Sequence, residues 1–152
     1  MPIYFFDTSA LAKHYHPEQG TPEVDRILTE QGSRYFISRL SAVEIQSVFA
    51  SKARSQTITL QALQNLQQRF AGDLSSRRFQ VMKVFPGNLR EAERLIKKYA
   101  PTRSFRTLDA IQLTFALELR RKGSLDYFVC ADDRFCAVAQ AEGFSVINPE
   151  II

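Results

Sequence analysis

Four carboxylates stand out for the company they keep: Asp7, Glu44, Asp109 and Asp132. Asp7 follows the apolar run Ile3-Tyr4-Phe5-Phe6, and Asp132 stands just after Tyr127-Phe128-Val129-Cys130. Glu44 and Asp109 lie where the helical stretches Ser41-Ala42-Val43-Glu44 and Thr107-Leu108-Asp109 begin. Carboxylates packed together repel, and at least one takes up a proton unless a cation is present. Hard cations such as Mg2+ or Mn2+ take oxygen ligands. A site of that kind suits hydrolysis at phosphorus, because the cation polarises the phosphate and lowers the pKa of bound water. Each acid also has a plain local explanation. Asp7 and Asp132 are good helix N-caps, Ser41-x-x-Glu44 has capping-box spacing, and Asp109 complements a helix dipole. Convergence in space is what separates the two readings.

Other chemistry finds less support. There is no Gly-rich phosphate loop and no convincing covalent nucleophile. Cys130 and Cys136 read as reduced packing residues, since zinc would want more Cys or His at tighter spacing. His14 and His16 are two apart, so on a helix they diverge. Arg106, three residues before Asp109, could contact phosphate or steady the carboxylates; it could equally be a surface arginine. With Lys97, Lys98 and Arg103 it forms a basic cluster that suits an RNA backbone or a solvated face. The net charge of +4 permits a polyanionic partner without demanding one.

These residues need elements to position them. Ile3–Phe6, Tyr35–Ile37, Phe79–Phe85, Tyr127–Cys130 and Phe144–Ile147 read as short strands. Helices are expected over residues 9–15, from Thr21 as N-cap to Gly32, from Ser41, over 59–74, 88–99 and 107–121, and from Asp132 or Asp133 to Ala141. Pro86-Gly87 reads as punctuation before one of them. The alternation predicts an α/β fold, one domain over 1–152, with a central parallel sheet of about five short strands covered by helices on both faces. Open parallel sheets place their sites outside the carboxyl ends of the strands, and helix starts share that edge. Four distant acids could therefore meet there. No targeting signal and no uncharged run of roughly 18 residues is visible, so the expected location is the cytoplasm, with no membrane partner.

At these acids the chain resembles the PIN-domain family, and most closely its VapC-type toxin branch. The matching runs are Phe6-Asp7-Thr8-Ser9-Ala10-Leu11, Ser41-Ala42-Val43-Glu44, Arg106-Thr107-Leu108-Asp109-Ala110-Ile111-Gln112-Leu113, Cys130-Ala131-Asp132-Asp133-Arg134-Phe135 and the tail Gly143 to Pro149. They occur in order and span nearly the whole chain. The resemblance implies a PIN-like fold and a Mg2+- or Mn2+-dependent endoribonuclease acting on RNA. It also implies a homodimer and a cognate antitoxin protein. Asp7, Glu44 and Asp109 would be the core acids, Asp132 would vary in its role, and Ser9 would support the site through its hydroxyl. An RNA-processing nuclease without antitoxin and a catalytically silent interaction module stay open beside the toxin reading. The helices between Ser41 and Leu74 would offer the antitoxin a groove for a helical segment. Two departures stand out: Cys130 occupies a position where the branch often has Thr or Ser, and Asp133 duplicates the charge of Asp132. Successive residues leaving a strand point apart, which favours Asp132 as the site acid.

Overall fold

Phe5 faces one way from the first strand while Tyr4 and Phe6 face the other, and each side meets its own apolar layer. The computed structural model describes residues 1–151, which form five strands and seven helices in alternation. In chain order these are β1 Ile3–Phe6, α1 Thr8–Tyr15, α2 Thr21–Leu28, β2 Arg34–Ser38, α3 Arg39–Arg54, α4 Leu60–Ser75, β3 Gln80–Met82, α5 Pro86–Tyr99, α6 Thr107–Arg121, β4 Tyr127–Val129, α7 Asp133–Ala141 and β5 Val146–Ile147. The strands make one sheet in the order β3-β2-β1-β4-β5, every pairing parallel. One face carries α1 to α4, through Leu11, Val24, Ile45, Phe49 and Phe70. The other carries α5 to α7, through Leu95, Leu113, Phe115, Phe135 and Val138. The expected parallel sheet with helices on both faces is thus the observed one.

The order has a consequence for function. From β1 the chain moves outward through β2 to β3, then returns to place β4 on the other side of β1. Strand order reverses between β1 and β4, and at such a switch point the following loops part and leave a crevice. Asp7 and Asp132 follow those two strands.

Several local expectations need correction. Ser38, not Ser41, caps α3, its hydroxyl accepting from the Ser41 amide at 3.0 Å. The capping box read at Ser41-x-x-Glu44 does not form, and Glu44 falls in the second turn with its side chain released for other work. Gly20, at φ 90°, precedes α2 in a left-handed conformation that a side chain would strain. Thr21 is already helical; its hydroxyl accepts from the Glu18 amide and donates to the Lys13 carbonyl, and α2 ends at Leu28, before Gly32. The third strand covers only Gln80–Met82, because the chain leaves the edge of the sheet and Val84 and Phe85 are exposed. Pro86 and Gly87 form the first turn of α5, where proline's missing amide costs nothing. Asn88 there accepts from the Phe85 amide at 2.8 Å.

Candidate active site

Asp7 extends β1 by one step, its amide donating to the Val129 carbonyl at 2.9 Å. That bond locks it against β4. Its carboxylate then turns to cap α1. Oδ2 accepts from the Ser9 hydroxyl at 2.6 Å and the Ser9 amide at 3.3 Å, with the Cys130 thiol at 3.7 Å. Ser9 Oγ in turn accepts from the Ala131 amide at 3.0 Å, stitching the β1–α1 and β4–α7 turns together. Asp7 is only 5% exposed. Burial pushes its carboxyl above the usual range, against the pull of the Ser9, Thr8 and Cys130 hydrogen bonds.

Glu44 reaches in from α3. Its Oε1 accepts from the Thr8 hydroxyl at 2.9 Å and the Gln112 amide at 3.1 Å. Burial raises this carboxyl too, helped by the charge of Asp7 and opposed by Thr8 and Gln112. Asp132 caps α7, with Oδ1 accepting from the Phe135 amide at 3.0 Å. Asp109, in the first turn of α6, has no side-chain hydrogen bond among the described residues. Its carboxyl is pushed up to about 7, first by burial, then by the charges of Asp7 and Asp132, with Glu44 adding and Arg106 opposing. All three other acids are therefore close enough to act on Asp109.

The four acids line one open cleft of about 540 Å3, together with Thr8, Ser9, Leu108 and a stripe of α3. The expected convergence on the carboxyl edge of the sheet is present. Among the described residues, however, no three His, Cys, Asp or Glu side chains are drawn into a tight metal-holding group. The acids share a cleft rather than a closed ligand shell. Their bonding pattern still suits a hard cation. Asp7, Glu44 and Asp132 are each anchored through one carboxylate oxygen, and Asp109 through neither. Oxygen donors with spare lone pairs are the set that Mg2+ or Mn2+ takes.

The remaining candidates fall as follows. Arg106 is exposed at the N-cap of α6 and reaches Asp109 through its charge alone. Asp133 turns away and accepts from Asn148 at 3.0 Å. His14 pairs with Asp25 at 2.6 Å and meets Arg78 at 3.1 Å, outside the cleft. Cys130 and Cys136 are free and buried, and the hydrogen bond with Cys136, then burial and the charge of Asp7, push the Cys130 thiol up.

Four residues to which the sequence reading gave no role at the site support it. Gln112 Oε1 accepts from Ser38 Oγ at 2.6 Å, and its amide donates toward Ser41 Oγ at 2.6 Å, Thr8 Oγ1 at 3.0 Å and Glu44 Oε1. The Thr8 hydroxyl also lies 3.0 Å from Ser41 Oγ. Thr8, Ser38, Ser41 and Gln112 are all buried. One signal was available: Gln112 interrupts an otherwise apolar stretch of α6, and a buried amide needs partners.

An α/β sheet with an acidic cleft at its switch point defines the class of protein. The family model for the PIN domain matches residues 4–141, and the chain belongs to the PIN-domain family. Among solved structures it resembles VapC20 of Mycobacterium tuberculosis, described as a sarcin-ricin loop cleaving toxin. The identity is 20%, the TM-score 0.69, and the match covers 96% of this chain and 99% of that one. It also resembles FitAcB from Neisseria gonorrhoeae (14% identity, TM-score 0.66, covering 98% and 99%). A toxin–antitoxin complex from Klebsiella pneumoniae matches at 19% identity and TM-score 0.64, again covering 98% and 99%. At these identities the likeness concerns the fold. A search of curated proteins finds no match. No helix among the described residues is long and apolar enough to cross a membrane.

Proposed function

We propose that this PIN-domain protein is a Mg2+- or Mn2+-dependent endoribonuclease, the toxin of a toxin–antitoxin pair, with Asp7, Glu44, Asp109 and Asp132 holding the cation. The observation that carries the proposal is the meeting of four carboxylates, from four distant stretches of the chain, on one open cleft, where the charges of the other three act against Asp109. Such repulsion is costly to a fold that gains nothing from it, and a divalent cation removes it. When bound, the cation would polarise a phosphodiester, acidify a water and stabilise the departing oxygen.

The chain's own residues would do the rest. Ser9 holds Asp7 by one oxygen and so fixes the direction of the other. Thr8 and Gln112 do the same for Glu44, and the Phe135 amide for Asp132. This preorganisation means that the site need not rearrange as charge develops. Arg106, at the rim, would supply a phosphate contact or balance Asp109.

Toxin–antitoxin assemblies among the structural neighbours support a cognate antitoxin as partner. Exposed Val43 on α3 and Leu60 on α4 offer its helical segment an apolar footing. The apolar edge made by Val81, Val84, Phe85 and Leu89 supports a homodimer. The test is cleavage of single-stranded RNA with Mg2+ or Mn2+ and with chelator, by the wild type, Asp7→Ala and Asp109→Ala, alongside growth on expression. Metal-dependent cleavage and growth arrest, both lost in the variants, are expected. Undiminished cleavage by both variants would overturn the site.

A further inference from the structure

The cleft does not end at the acids. From Glu44 it runs along one face of α3, past Ser47 and Ser51, to Lys52. Their spacing keeps these residues on one side of the helix. Eight residues of α-helix separate Glu44 from Lys52 by about 12 Å, a span that an extended strand crosses in a few nucleotides. The wall therefore changes character along its length, from carboxylates to the hydroxyls of Ser47 and Ser51 with Val48 between them, and then to a single ammonium group. Lys52 is the one cation among the residues lining the cleft.

Lys52 is also loosely held. Its side chain is 20% exposed, and its Nζ stands 3.9 Å from Glu18 Oε2. Glu18 has a second cation, Lys13, at 3.4 Å from its other oxygen. Lys13 is buried and bonded to Glu150 at 2.9 Å, which holds it in place beside Glu18. Lys52 can leave Glu18 without stranding a carboxylate. A half-buried pair at 3.9 Å, longer than a direct hydrogen bond, contributes little stability.

We infer that Lys52 is a phosphate-binding residue for the RNA strand, which lies along α3 from the acidic end of the cleft, and that Glu18 competes with the strand for it. The inference rests on the ribonuclease reading and adds a substrate track to it. Phosphate is the group that an ammonium beside hydroxyls on a groove wall recognises, and Lys52 would make this contact away from the reacting centre.

The test is steady-state cleavage of single-stranded RNA oligonucleotides of increasing length, over a range of salt, by the wild type, Lys52→Gln, Lys52→Arg, Glu18→Gln and the double variant. Lys52→Gln should raise KM about tenfold on long substrates, the effect of one charge-assisted contact, with kcat unchanged. The dependence of log KM on log salt should become shallower by about 0.7, the share of one phosphate contact on a single strand. The penalty should shrink as the substrate becomes too short to reach α3. Lys52→Arg should restore KM, and Glu18→Gln should lower it only while Lys52 is present. A Lys52→Gln enzyme with wild-type KM and salt slope at every length would overturn the inference and leave the ribonuclease reading intact. So would a loss confined to kcat. A wild type that cleaves no RNA would sink the ribonuclease reading and this inference with it.

Discussion

Asp109 is where the electrostatics of the cleft accumulate. Burial and then three like charges disfavour its charged form, and among the described residues no side-chain hydrogen bond favours it. Its folded value, about 7, lies above the unfolded one, so the sign of its pH effect is fixed. Below about pH 4 both states carry the proton and the carboxyl is neutral for stability. Between about pH 4 and the folded value the native state holds a proton that the unfolded chain has released, so the stability present in acid falls as the pH rises and is lost once the pH passes about 7. Metal-free protein should therefore melt at lower temperature at pH 8 than at pH 5. Asp109→Asn should flatten that slope and melt higher than the wild type at pH 8. Thermal melts in chelator across this range measure it, and identical profiles would contradict the assignment. Gln112 acts differently, through Glu44. Gln112→Ala leaves the Ser38 hydroxyl and Glu44 short of a partner and should cost about 1–3 kcal/mol in urea unfolding. It should also lower kcat by loosening Glu44. Full activity in a destabilised variant would mean that the network serves folding alone.

At the scale of elements, the ends of helices decide which side chains are free for the site. Residue type suggested Ser41 as the cap of α3, but β2 runs to Ser38 and the helix begins directly after it. That shift frees Ser41 and Glu44 to face Gln112 and Thr8. Sequence could not reveal this, because Ser38 and Ser41 are equally good caps and the choice belongs to the length of the preceding strand. The start at Thr107 and end at Arg121 of α6 were legible, since a long apolar stretch has one reasonable reading. On the opposite face, the Glu142 carboxylate at the end of α7 receives Tyr99, Lys98 and Arg94 of α5, and its carbonyl takes Arg120 of α6. Burial alone would raise this carboxyl, but the Tyr99, Lys98 and Arg94 bonds outweigh it and hold it below its usual value. Its stabilising effect is therefore present above the unfolded value of about 4.5 and lost as the pH falls through the folded one. Glu142→Gln should melt below the wild type at pH 7, and the gap should close in acid. A gap that persists at low pH would point to lost packing instead.

For the molecule as a whole, the alternation of apolar runs with helical periodicity made the layered α/β fold and its parallel sheet readable. The order β3-β2-β1-β4-β5 was not, because pairings between residues over a hundred positions apart leave no local trace, as at Tyr4 and Tyr127. The acids were readable because each stands beside a recognisable strand or helix start. The hydroxyl and amide network behind them was not, because it exists only once α1, α3 and α6 pack together. That packing brings the four acids to one cleft, and the central claim is that they hold a divalent cation there. The most direct test is the melting temperature of the wild type and of Asp7→Asn, Glu44→Gln, Asp109→Asn and Asp132→Asn as Mn2+ is added. A ligand that binds only the folded wild type should stabilise it by about 2.7 kcal/mol at a hundredfold excess over Kd. The gain should vanish for Asp7→Asn and Asp109→Asn, and shrink least for Asp132→Asn. A wild type whose melting is indifferent to Mn2+, or variants that gain as much as it does, would contradict the cation site and leave Asp7 and Asp132 as helix caps.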